Sequence, residues 1–160
     1  MLHQFEEYGV PGGFRQWWNR VVFNSSNPEF PLSKRLAMRV NFPALYAGFG
    51  ILGLLGVLVA PWIGMVALFA TLTNAYFHIS YAIATRRYAP GVITSVLLYL
   101  PLTGWAAYYF ARNGEIVMGE FALAWAIGIA MNVAVFAHAW RIVNRHPEWL
   151  EGERVTRARR

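Results

Sequence analysis

Residues 40–59 carry no charged side chain. A helix needs about 20 predominantly apolar residues to cross the ~30 Å hydrocarbon core of a bilayer, and this run supplies them. Three more apolar runs follow, at about residues 62–84, 92–111 and 120–141. Lipid offers a backbone no hydrogen bonds, so such runs must satisfy their own and fold as helices. The expectation is an all-α integral membrane helical bundle of four transmembrane helices, preceded by an N-terminal interfacial segment. Residues 1–143 form its single membrane domain, and residues 144–160 form a polar, basic tail. Composition supports this class: 57% of the 160 residues are hydrophobic and 14% are charged, against about 25% charged in a soluble domain. The lack of cysteine excludes disulfides, thiolate ligands and cysteine nucleophiles.

A formal net charge of +6 and a pI near 10.1 would suggest nucleic acid as the partner of a soluble protein. Here the cations flank apolar runs and no nucleic-acid-binding module accompanies them, so an anionic bilayer is the expected partner. Lys34, Arg35 and Arg39 precede the first run, Arg86 and Arg87 separate the second from the third, and Arg154, Arg157, Arg159 and Arg160 end the tail. The opposite side carries only Arg112, accompanied by Glu115. The positive-inside rule then puts the N-terminal region, the loop from Thr85 to Gly91 and the tail in the cytoplasm. Residues 14–23 hold Arg15, Trp17, Trp18 and Arg20, which suit a short helix lying in the bilayer interface. The first residues carry acids and lead into no apolar core, unlike a secretory signal peptide.

Isolated polar residues within a span usually face protein or a cavity. In the second run Ala67, Thr71, Asn74, His78 and Ala82 recur at three- and four-residue spacing and share one helical face. In the fourth run Ala126, Ala130, Ala134 and His138 lie four apart, a small-residue seam of the kind that marks a helix contact. Both histidines are thus expected to point inward, near the cytoplasmic end. Asn132 lies on another face and is expected to join helices by a hydrogen bond. In the first run Ala44, Gly48, Gly50, Gly53 and Gly56 predict close packing on a neighbour, and Pro101 predicts a kink in the third.

The densest ionisable chemistry is His3-Gln4-Phe5-Glu6-Glu7. Spacings of three and four put His3, Glu6 and Glu7 on one face of a helix, which Gly9, Pro11, Gly12 and Gly13 then end. A histidine and a carboxylate so spaced can bind one metal ion. With His78 and His138 the inventory reaches three histidines and two carboxylates, a set that suits Zn, Fe or Mn. Without a metal, Glu6 or Glu7 would act as a base and His78 as its proton partner. Tyr88-Ala89-Pro90-Gly91 reads as a turn, with the Tyr88 hydroxyl as a further candidate at the site. His146 precedes Pro147 in the tail and is expected to be solvated.

These residues resemble a family of membrane proteins named for its HXXEE motif. The family pattern is His-x-x-Glu-Glu, a further histidine and Tyr-x-Pro-Gly. Here it corresponds to His3-Gln4-Phe5-Glu6-Glu7, His78 and Tyr88-Ala89-Pro90-Gly91, in order across the first 91 residues. The resemblance implies functionally important residues and no particular reaction. In similar proteins the motif ends an apolar helix, whereas only Met1 and Leu2 precede it here, so an upstream helix beyond residue 1 is one expectation. Two functional classes follow. One is a membrane protein with a metal-binding or acid–base His/Glu site, acting on a lipid-like substrate. The other is a non-catalytic membrane subunit or small-molecule or lipid binder without metal, docking on partner helices or a second copy through its small-residue seams.

Overall fold

A computed structural model describes residues 1–145. Among these the chain is helical, with no strand. Helix α1 is Leu2–Tyr8; α2 spans residues 14–22, an α-helical turn Phe14–Trp17 running into a π-helical turn Trp18–Val22. Helix α3 spans residues 34–58 and is π-helical over Val40–Ala47. The long helices are α4, Pro61–Thr85; α5, Val92–Asn113, with a π-helical segment Ser95–Tyr99; and α6, Met118–Arg145. The tail residues His146, Pro147, Arg154, Arg157, Arg159 and Arg160 lie outside the described residues.

Helices α4, α5 and α6 have 25, 22 and 28 residues and are apolar enough to cross a membrane. At about 1.5 Å per residue each exceeds the ~30 Å core. These three are the clear spans; the apolar helix of the expected first span, Leu45–Leu58, is shorter among the described residues. Proline leaves its mark in α5. The π-helical Ser95–Tyr99 stands immediately before Leu100-Pro101, so the irregularity expected from Pro101 is taken up in the preceding turn.

Helix α4 is the axis of the bundle. It starts at Pro61, a residue preset for a first helical position. Small residues let its neighbours close on it: a Cβ on Gly56 of α3 would stand 2.8 Å from Gly64 Cα, and one on Gly128 of α6 2.7 Å from the Ala70 nitrogen. Asn132 donates to the Ala70 carbonyl at 2.9 Å, joining α6 to α4. The buried face of α6 is Ala124, Gly128, Ala139 and Val143. The seam Ala126, Ala130, Ala134 and His138 is exposed, contrary to expectation. Ala124 and Gly128 lie four apart, as the members of the seam do, so that spacing alone does not choose between the faces; the backbone approach at Gly128 does.

In helix α2, Trp17 and Trp18 are buried and pack with Phe14, Phe23, Phe77 and Phe136. Asn19 is wholly buried and pins the following loop: it donates to the Pro28 and Leu32 carbonyls at 2.7 and 3.0 Å and accepts from the Leu32 N–H at 2.9 Å.

Helix α1 is inverted relative to a helix of a water-soluble protein. His3, Glu6 and Glu7 are buried, while Leu2 and Phe5 are 64% and 61% exposed. Polar groups in and apolar groups out is the arrangement expected of a segment whose surroundings are lipid rather than water.

Candidate metal centre

The two glutamates of the motif are adjacent in sequence and serve different ends in space. The Glu6 carboxylate lies against the first turn of α5. Its Oε1 accepts from the Tyr88 hydroxyl at 2.9 Å, the Gly91 N–H at 3.1 Å and the Ile93 N–H at 3.0 Å. Its Oε2 accepts from the Thr94 N–H at 2.8 Å and the Thr94 hydroxyl at 2.6 Å. A carboxylate has about four lone-pair sites, so Glu6 is saturated. Helix N-termini present unpaired N–H groups and a partial positive charge, and an anion fits there. Burial alone would raise the Glu6 carboxyl; the bonds from Thr94, Ile93 and Tyr88 outweigh it and hold the group below the usual carboxylate range. Partial burial and the Glu6 carboxylate push the Tyr88 hydroxyl up to about 12, which keeps it a donor.

Glu7 turns toward α4. Its Oε1 lies 3.4 Å from both His3 Nε2 and His78 Nε2. One ligand atom from each of His3, Glu7 and His78 lies within 4.8 Å of the other two. The three are 2%, 5% and 0% exposed. The Asn74 amide nitrogen sits 3.1 Å from His3 Nε2 and 3.3 Å from His78 Nε2. On its far side, His3 Nδ1 meets the Thr94 hydroxyl at 2.7 Å. Aromatic rings wall the group: Tyr99 against His3 with centroids 4.8 Å apart, Trp17 stacked on His78 at 6.0 Å, and Phe14 at 5.7 Å.

Gly91 closes the space between the histidines. Its φ is +100°, a conformation that favours glycine, and a Cβ there would stand 2.7 Å from His3 Cε1 and 3.0 Å from His78 Cε1. The Tyr-x-Pro-Gly turn thus has two functions: Tyr88 and Gly91 hold Glu6, and the bare Gly91 Cα makes room for both imidazoles.

The structure therefore gathers His3, Glu7 and His78 and leaves out two expected ligands. Glu6 has its oxygens filled by donors. His138 is exposed on α6, because the face of that helix packed on α4 is set by Gly128. Tyr88 reaches the site only through Glu6. Thr94 went unseen in the sequence reading; its signal is a hydroxyl three residues beyond the motif glycine, in the first turn of a helix. Asn74 was placed on the polar face of its run, though not among the site residues. An ion with two imidazoles and one carboxylate is chemically reasonable here, since those donors suit first-row divalent metals.

No curated protein and no solved structure matches this chain. A family model described as a protein of unknown function with HXXEE motif matches residues 1–106, which include His3-Gln4-Phe5-Glu6-Glu7. The chain belongs to the HXXEE family.

Proposed function

We propose that this is a membrane-embedded metalloprotein in which His3 Nε2, Glu7 and His78 Nε2 hold one divalent cation. The observation that carries the reading is the pair of 3.4 Å separations from a single carboxylate oxygen. Two donors each about 2.0–2.1 Å from a tetrahedral ion stand about 3.3–3.4 Å apart. A charge-assisted hydrogen bond would instead bring the atoms to about 2.7–2.9 Å. Two histidines and a carboxylate are shared by catalytic zinc sites and non-haem iron sites, and they leave coordination positions for water or substrate. Zn, Fe and Mn all fit the donor chemistry. A bound ion would supply Lewis acidity toward a carbonyl, phosphoryl or water oxygen, and the apolar exterior of α1 favours a lipid-like substrate that arrives from the membrane.

The proposal extends to topology. Helix α3 makes a fourth, irregular crossing within one membrane domain reaching about residue 143. The end bearing Arg15, Arg20, Lys34, Arg35, Arg86 and Arg87 faces the cytoplasm, by the positive-inside rule, and the metal centre lies at that end.

The test is elemental analysis of the full-length chain in detergent after exposure to Zn, Fe or Mn and removal of excess. The wild type should retain one ion per chain and His78→Ala none; a wild type that retains none refutes the metal centre. A second reading, a metal-free lipid-binding or accessory subunit, is favoured by one observation: an apolar groove of about 650 Å³ between α4 and α6, lined by Phe23, Tyr76, Phe77, Phe136 and Trp140 among others. A metal-free wild type would leave that reading. It would also leave the acid–base one, in which Glu7 lies between two imidazoles.

A further inference from the structure

We infer that Thr94 and Glu6 fix the proton of His3 on Nδ1, so that Glu6 is a positioning residue for a ligand while Glu7 is itself a ligand. The inference rests on the metal-centre reading for its consequence, though not for its geometry. The argument is a proton count. The Thr94 hydroxyl has one proton and three neighbours: Glu6 Oε2 at 2.6 Å, His3 Nδ1 at 2.7 Å and the Gly91 carbonyl at 3.2 Å. An oxygen 2.6 Å from a carboxylate oxygen must have a proton between them, because two bare lone pairs would repel. The Gly91 carbonyl is the longest contact and already accepts from the Ser95 hydroxyl at 2.7 Å and the Ser95 N–H at 3.0 Å. Thr94 therefore donates to Glu6. Its remaining lone pair faces His3 Nδ1, and that contact is a hydrogen bond only if Nδ1 carries the proton.

In the neutral imidazole this leaves a lone pair on Nε2, the atom that faces Glu7 and receives the Asn74 amide. A metal-binding histidine characteristically gives its other ring N–H to a carboxylate, carbonyl or water, which fixes tautomer and ring orientation. Here a threonine hydroxyl carries that contact on to a carboxylate. The two histidines are unequal in this respect. His78 Nδ1 is buried beside Gly91 and has no hydrogen-bond partner among the described residues. His3 is the pre-set ligand of the pair, and His78 is held by its aromatic neighbours.

The experiment uses the full-length chain in detergent, with Zn²⁺ affinity read by competition against a chromophoric chelator. Thr94→Val should weaken binding by about 10–100-fold, the usual effect of losing an outer-shell partner, and Thr94→Ser should restore it close to wild type. In the metal-free wild type, ¹⁵N NMR of labelled histidine should show His3, assigned by its loss in His3→Gln, with a protonated Nδ1 and a bare Nε2. Thr94→Val binding zinc as tightly as wild type overturns the inference, as does a Thr94→Ser variant no better than the valine. A His3 found with its proton on Nε2 overturns it without any metal or variant. If the wild type takes up no zinc, the metal centre falls, and the tautomer alone decides the relay.

Discussion

Exchanging each motif glutamate for glutamine separates two roles that the sequence makes look alike. Glu6→Gln keeps shape and removes one acceptor atom. With its carbonyl in the Oε1 position, the new amide points its N–H groups at the Thr94 N–H and hydroxyl, which now bond Oε2 at 2.8 and 2.6 Å. A buried N–H left without a partner costs about 1–3 kcal/mol. The bonds from Tyr88, Gly91 and Ile93 survive but lose their charge assistance, roughly 1 kcal/mol each before relaxation. Relief of the buried charge returns part of this, and the net loss should be about 2–4 kcal/mol. For a chain of this size that is a fall on the order of 5–15 °C in Tm. Glu7→Gln loses only the two 3.4 Å contacts to histidine, and should cost under about 1 kcal/mol, since long contacts contribute little. Thermal unfolding in detergent, followed by the fluorescence of the buried Trp17 and Trp18, reads both. Metal uptake should reverse the order, with Glu7→Gln losing the ion. A Glu6→Gln protein as stable as wild type, or less stable by a smaller margin than Glu7→Gln, refutes the division of labour.

Three further outcomes follow from the same geometry. Gly91→Ala forces a side chain into positive φ and against both imidazoles; the backbone strain of about 1–2 kcal/mol and overpacking of about 1–3 kcal/mol should lower Tm and abolish metal retention together. Asn19→Ala strips the Leu32 N–H and two loop carbonyls of their partner, and a loss of about 1–3 kcal/mol should show as faster proteolysis between residues 24 and 33, with metal uptake retained. His138→Ala should change neither Tm nor metal stoichiometry, since the side chain is exposed on the face of α6 turned away from α4; a lost ion would return His138 to the ligand set.

The helical class and the three long spans are legible in the sequence because they depend on length and hydropathy, which lipid imposes directly. The convergence of His3, Glu7 and His78 is legible from spacing and from the isolation of a polar residue in an apolar run. Rotation about each helix axis is not. A membrane helix is apolar on every side, so hydropathy has no face to report, and the choice between Ala126/Ala130/Ala134 and Ala124/Gly128 turns on a backbone contact with Ala70. The packing of Trp17 and Trp18 against phenylalanines is hidden for a related reason: tryptophan suits an interface and an aromatic core equally. The separate fates of Glu6 and Glu7 were hidden because the donors that claim Glu6 are mostly backbone N–H groups of another helix, which no residue type announces.

Helix α1 buries three ionisable side chains and turns Leu2 and Phe5 outward, so a buried hydrophobic face does not account for its place. Its polar contacts are those of the site, Glu6 on the start of α5, His3 on Thr94 and Glu7 against His78, together with Tyr8 and Asn41. The dependence runs both ways, since without α1 the remaining site has one histidine and no carboxylate. Binding that needs a folded site adds its free energy to folding, so metal loading should protect the amides of α1 from hydrogen exchange more than those near Gly128, where α6 meets α4 away from the centre. Equal protection at both places would mean that α1 is held by something other than the groups that make the centre.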